Sequence, residues 1–145
     1  MAKGYPDFFG YSVFPQFGIY QVEEKGATVI PAGDSVTVFD VEGKGTIYGG
    51  YMFFGKTDIT GLITLSLTID GFTVILPSIK TMLEAGWIGG LDLPFIVTEV
   101  NDAIPSYTVI VQANITFAEQ FKITASANVT ADASVNGKLF WAKLR

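Results

Sequence analysis

The sequence predicts an all-β chain: an antiparallel β-sandwich or jelly roll with one short helix and an extended N-terminal arm. Three observations carry this. Runs that alternate apolar and polar residues recur at short spacing from about residue 19 onward, separated by Gly, Pro, Asn and Asp. Two of these runs are joined by Asp70-Gly71 alone, the strongest short-range hairpin signal. Only one short stretch, near residues 79–85, has helical spacing, which is too little helix for parallel βαβ units. The 145 residues suit one domain with its own core. The expected organisation is an arm over 1–20 and a single β-sandwich domain over 21–145.

Residues 1–20 hold Tyr5, Phe8, Phe9, Tyr11, Phe14, Phe17 and Tyr20, seven of the chain's twenty aromatics. Gly4, Gly10, Gly18, Pro6 and Pro15 break any regular period, because prolines remove ladder donors and glycines weaken both helix and strand. Disordered tails are poor in aromatics, so these rings need a place to be buried. Either they pack on this chain's own sandwich, or they form an arm that docks on another subunit or protein. Burying one such ring contributes about 1.5–3 kcal/mol, so several offset the ordering of an irregular segment.

Strand follows strand after this. Val36 and Val38 share one parity, and Phe39 and Val41 the other. A slip at Val38/Phe39 predicts a bulge or a strand buried on both faces. Gly43-Lys44-Gly45 turns the chain into a strand over 47–54, with a bend or close backbone approach expected at Gly49-Gly50. Ile63, Leu65, Leu67 and Ile69 alternate with polar residues, and Phe72, Val74 and Leu76 resume the alternation after Asp70-Gly71. Pro77 ends that strand, and Ser78 caps the short helix. Strands resume at 95–100 and 106–112. A long alternation from Phe121 to Val135 exceeds an ordinary strand and reads as one long strand or as a strand plus an extension past the domain. Its alanines point to close packing against another sheet or subunit. Asn136-Gly137 reads as a second hairpin turn, with Leu139 to Trp141 as the closing strand.

Composition excludes several chemistries. With no cysteine and no histidine there are no disulfides, no Cys/His metal sites and no histidine-based triads. Net charge is −5 and the only arginine is Arg145, so a phosphate-binding groove for nucleic acid is not expected. Met1-Ala2-Lys3 leads into Gly4-Tyr5-Pro6-Asp7 rather than an apolar run, so no secretion signal is expected. No run approaches about 18 apolar residues, so no membrane-spanning helix is expected. Asn114-Ile115-Thr116 and Asn128-Val129-Thr130 match the glycosylation sequon and read as strand residues with the polar side outward. No serine sits in a nucleophile elbow. Glu84, Asp92, Glu99 and Asp102 read as solvated acids. Asp34, Asp40, Glu42, Asp92 and Asp102 lack any calcium-loop spacing. No catalytic, metal or cofactor residue is therefore assigned. The candidate site is an interface formed by the seven N-terminal aromatics.

Two stretches resemble a known group. They are Gly4-Tyr5-Pro6-Asp7-Phe8-Phe9-Gly10-Tyr11-Ser12-Val13-Phe14-Pro15, and Gly45-Thr46-Ile47-Tyr48-Gly49-Gly50-Tyr51 running on to the Ile69-Asp70-Gly71 hairpin. Together they resemble small virion structural proteins of tailed bacteriophages, nearest to capsid decoration proteins of phages that infect thermophiles. The resemblance covers the first half of the chain and contains no catalytic motif. It implies a jelly-roll-like domain that trimerises on the capsid surface after synthesis in the host cytoplasm. It also implies an arm that reaches a neighbour, contacts with the major capsid protein and with copies of itself, and no cofactor. Nucleic acid and membrane are not among the expected partners. The alternative reading is a receptor- or glycan-binding β module with Trp87 in its loops. A third is a small-molecule barrel with an apolar interior.

Overall fold

A computed structural model describes the chain over residues 19–55, 62–85, 94–101, 106–127 and 131–144. The strands are β1 (Ile19–Ile30), β2 (Ser35–Glu42), β3 (Gly45–Gly55), β4 (Thr64–Ile69), β5 (Phe72–Ser78), β6 (Phe95–Asn101), β7 (Ser106–Val111), β8 (Ile115–Phe117), β9 (Gln120–Ser126) and β10 (Ala133–Lys143), with one helix, α1 (Ile79–Glu84). Every ladder is antiparallel. Sheet A runs β1-β10-β3-β7-β6, with β8 also paired to β3. Sheet B runs β2-β9-β4-β5. The two sheets face each other as a β-sandwich.

The period-two runs form strands because each has one apolar face to bury. In β9 the alternation Phe121, Ile123, Ala125 points inward and is fully buried, while Lys122 and Thr124 stay half-exposed. Ile63, Leu65 and Leu67 do the same along the chain into β4. From sheet A, Ile47, Met52, Phe54, Val109, Val135 and Leu139 complete the core. A row of rings ties the sheets together. Phe117 of β8 lies 5.8 Å from Trp141 of β10 and 6.0 Å from Phe121 of β9, tilted to both.

Both irregularities read from the sequence are present. In β2 the register against β9 shifts between Thr37 and Phe39, so Val38 is the extra residue and both Val38 and Phe39 are buried. In β3 the register against β10 shifts at Tyr48, beside Gly49 with φ 144°. That bulge falls where the partner on the other side of β3 changes from β8 to β7. The Asp70-Gly71 link is a tight turn with φ 51° and 88°, the left-handed values a two-residue hairpin needs. Ser78 caps α1, its hydroxyl accepting from the Thr81 N–H at 3.2 Å. Ile79 and Met82 are the helix's fully buried residues.

Five expectations are corrected. Residues 121–135 are not one strand. The chain leaves sheet B after β9 and enters sheet A as β10, because each sheet needs an inward face and the long alternation supplies both in turn. The crossing is tied to the β1–β2 turn, where Ala127 N–H donates to the Asp34 carbonyl and Asp132 accepts from the Ala32 N–H. Asn136-Gly137 is not a turn but the middle of β10, with Asn136 opposite Phe53 and Gly137 opposite Met52. Phe72 and Val74 share the inward face with Leu76, yet only Leu76 is buried. Asn114 is in the turn before β8, with φ 68°, and its N–H donates to the Ile47 carbonyl. Tyr20 lies within β1 rather than ahead of the sandwich.

Candidate interaction surface

Several of the described carboxylates and serines have local structural partners. The Asp70 carboxylate accepts the backbone N–H groups of Ala118, Glu119 and Gln120 at 2.6–3.0 Å, and its own N–H donates to the Gln120 carbonyl. These three donors hold its carboxyl below the usual carboxylate range. This contact clasps the β4–β5 turn to the β8–β9 turn. Asp40 accepts from Gln120 Nε2 at 2.9 Å. Ser35 and Ser126 share a hydrogen bond across the β2–β9 pair, and Ser134 donates to the Gly55 carbonyl. Among the described residues no group of three or more acidic side chains is placed to hold a metal ion. Asp92, Asp102, Trp87 and Asn128-Val129-Thr130 lie outside the described residues, as does the side chain of Glu99.

The sandwich has two unlike outer faces. On sheet B the outward residues of β4 and β9 are polar, Thr64, Ser66 and Thr68 on β4 and Lys122, Thr124 and Ser126 on β9, whereas Ile75 of the edge strand β5 is apolar. On sheet A the outward residues are mixed: Glu24, Lys138, Asn136, Ser134, Thr98 and Thr108 lie among several large apolar side chains. Tyr51 of β3 sits opposite Ile110 of β7, and Ile110 opposite Ile96 of β6. Val22 of β1 sits opposite Phe140 of β10. Tyr20, Val22, Tyr51 and Ile110 are between 37% and 47% exposed. Antiparallel sheets usually bury one face and wet the other with polar side chains. The β4 and β9 strands of sheet B follow this rule, and the outer face of sheet A mixes polar residues with large apolar ones.

β1 sharpens the contrast. Its register against β10 puts Tyr20 and Val22 outward, and Gln21, Glu23 and Lys25 inward and half-buried. One inward group is used: Glu23 accepts from Trp141 Nε1 at 3.3 Å. A one-residue slip would reverse both faces, so the register commits apolar side chains to the outside. Nearby, burial pushes the phenol of the bulge residue Tyr48 up.

A second apolar region lies at the far edge of sheet B. Phe72 is 81%, Ile75 76% and Val74 56% exposed on β5. Leu67, Ile69, Asp70, Phe72 and Val74 line an open concavity of about 390 Å³ there.

Of the sequence-derived interface residues, Tyr20 is described and belongs to the outer face of sheet A. Tyr5, Phe8, Phe9, Tyr11, Phe14 and Phe17 lie outside the described residues. Sequence reasoning missed Tyr51, Ile110 and Val22, because a single strand's alternation does not say which of its faces meets the other sheet. At β5 a signal existed: Val74 and Ile75 are adjacent, so both faces carry an apolar residue.

No protein-family model matches this chain, and no curated protein matches it significantly. The resemblance to virion proteins therefore stands on the two quoted stretches alone.

Proposed function

We propose that this chain is a non-enzymatic structural protein of a phage virion, a capsid decoration protein that cements the major capsid shell. The observation that supports this reading is the set of exposed large apolar side chains, Tyr20, Val22, Tyr51 and Ile110, on the outer face of sheet A. Large exposed apolar patches on a folded domain mark sites of association. In sequence, the aromatic segment 1–18 immediately precedes β1, an edge strand of that same sheet. Its partners are the major capsid protein and copies of itself, arranged as a trimer. The mechanism is mechanical. Apolar contacts spread over several subunits stabilise the assembled state by mass action and need no cofactor.

The test has two parts. Sedimentation of the full chain should show a multiple of its 15.6 kDa mass, and the double variant Tyr51→Lys, Ile110→Lys should sediment as a smaller species with unchanged circular dichroism. Limited chymotrypsin digestion, read by intact mass, should cut within residues 5–17, ahead of β1, rapidly in that variant and slowly in the assembly. A single-chain species whose N-terminal aromatics are fully protected would overturn the proposal, because the rings would then be satisfied within their own sandwich.

A further inference from the structure

The geometry points to β5 as a second association site, one that pairs edge to edge with β5 of another copy of this chain. Five strands have a single ladder partner: β1, β6 and β8 in sheet A, β2 and β5 in sheet B, of which β8 is protected by being only three residues long. An edge strand presents unpaired N–H and C=O groups, and proteins protect such edges with charges, prolines or bulges. Here β1 carries Glu23, Glu24 and Lys25, β2 carries Asp40, Glu42 and a bulge, and β6 carries Glu99. β5 carries no charge anywhere in Phe72–Ser78, and its one proline, Pro77, stands near its end. Large exposed apolar side chains stand on both of its faces, Phe72 and Val74 inward and Ile75 outward beside the exposed Thr73.

The strand is complementary to itself. Antiparallel pairing about Val74 sets Val74 against its own copy, Phe72 against Leu76 and Thr73 against Ile75. Residues directly opposite in an antiparallel pair point to the same side of the sheet. The inward apolar side chains of the two copies would then be continuous, and the open concavities beside Val74 would join. No like charges meet along Phe72–Leu76, although each chain carries a net charge of −5. Only Phe72, Val74 and Ile75 bring large exposed apolar side chains to the contact, which places it among small, transient interfaces. A reversible dimer is therefore expected, not an obligate one. This site is separate from the face of sheet A, and neither depends on the other.

The full chain has no cysteine, so Val74→Cys introduces a single thiol. In the paired register the two Val74 Cα atoms stand about 4.5–5.5 Å apart, within disulfide reach. On mild oxidation Val74→Cys should give a covalent dimer at least tenfold faster than Thr124→Cys, placed on the polar face of sheet B. Ile75→Lys should halve the sedimenting mass at tens of micromolar protein and leave the Tyr51/Ile110 variant's phenotype unchanged. Equal crosslinking of the two thiol variants would overturn the proposal, whatever the mass of the unmodified chain. A single-chain species with β5 amides protected from hydrogen exchange would also overturn it, placing another segment of this chain on the edge.

Discussion

Asn136→Thr and Gly137→Ala should move stability in opposite directions, and their signs separate two readings of the same dipeptide. In β10, Asn136 is half-exposed, extended and opposite Phe53. Threonine suits such a position better than asparagine on a strand scale that spans about 1 kcal/mol. A domain of this size gains about 2–4 °C in Tm per kcal/mol, so Asn136→Thr should raise Tm by up to about 4 °C. Gly137 is different. A Cβ there would strike the Tyr51 carbonyl oxygen and come within 3.1 Å of the Met52 Cα. Both are backbone atoms of β3, the strand between β10 and β7, so no rotamer change relieves the clash. Overpacking costs about 1–3 kcal/mol, and a backbone clash belongs at the upper end. Gly137→Ala should therefore lower Tm by about 6–12 °C. In a two-residue hairpin, both residues would need positive φ. A β-branched threonine would then cost about 1–2 kcal/mol and lower Tm. The assay is differential scanning calorimetry, supported by urea titration, on each single variant. A clear fall in Tm for Asn136→Thr, or no change for Gly137→Ala, would refute the placement of these residues in mid-strand.

Two further outcomes follow from the core and from the clasp between turns. Phe121 is fully buried and packs against Phe117, so Phe121→Ala should cost about 3–5 kcal/mol, a large share of the roughly 5–15 kcal/mol that holds a domain folded; a urea midpoint that barely moves would place this ring outside the core. The Asp70 carboxyl titrates below its unfolded value, so its contribution is present above the unfolded pKa of about 3.9 and is lost as pH falls through the folded value. Asp70→Asn should be less stable than the parent at neutral pH, with the gap in urea midpoint closing in acid; a gap independent of pH would mean that the three N–H donors do not favour the charged form.

Much of the fold was legible because it depends on local rules. Alternation with period two marked the strands, since a half-buried sheet imposes that period. The parity slip at Val38/Phe39 marked a bulge, and Ser78 marked the helix start. The association surface was only half legible. The aromatic segment was conspicuous in composition, whereas Tyr51, Ile110 and Val22 were hidden in ordinary strand patterns. Which side of a strand faces the second sheet depends on the partners it pairs with, and those partners are distant in sequence.

The two tight-turn dipeptides show where the boundary lies. Asp70-Gly71 and Asn136-Gly137 carry the same local signal, because each makes positive φ inexpensive. At Asp70-Gly71 the chain uses it, and the flanking strands pair with each other. At Asn136-Gly137 the chain runs straight through, because Gly137 is needed for the close passage of β3 beside β10. By itself the sequence determined the all-β class, the sites of most strands, one capped helix and the absence of thiol and imidazole chemistry. Only the tertiary structure decided that the long alternation splits between two sheets, that β1 turns its apolar side outward, and that β5 is left as an uncharged edge. Local preference sets what each residue can do at small cost, and long-range strand pairing selects which of those options is used.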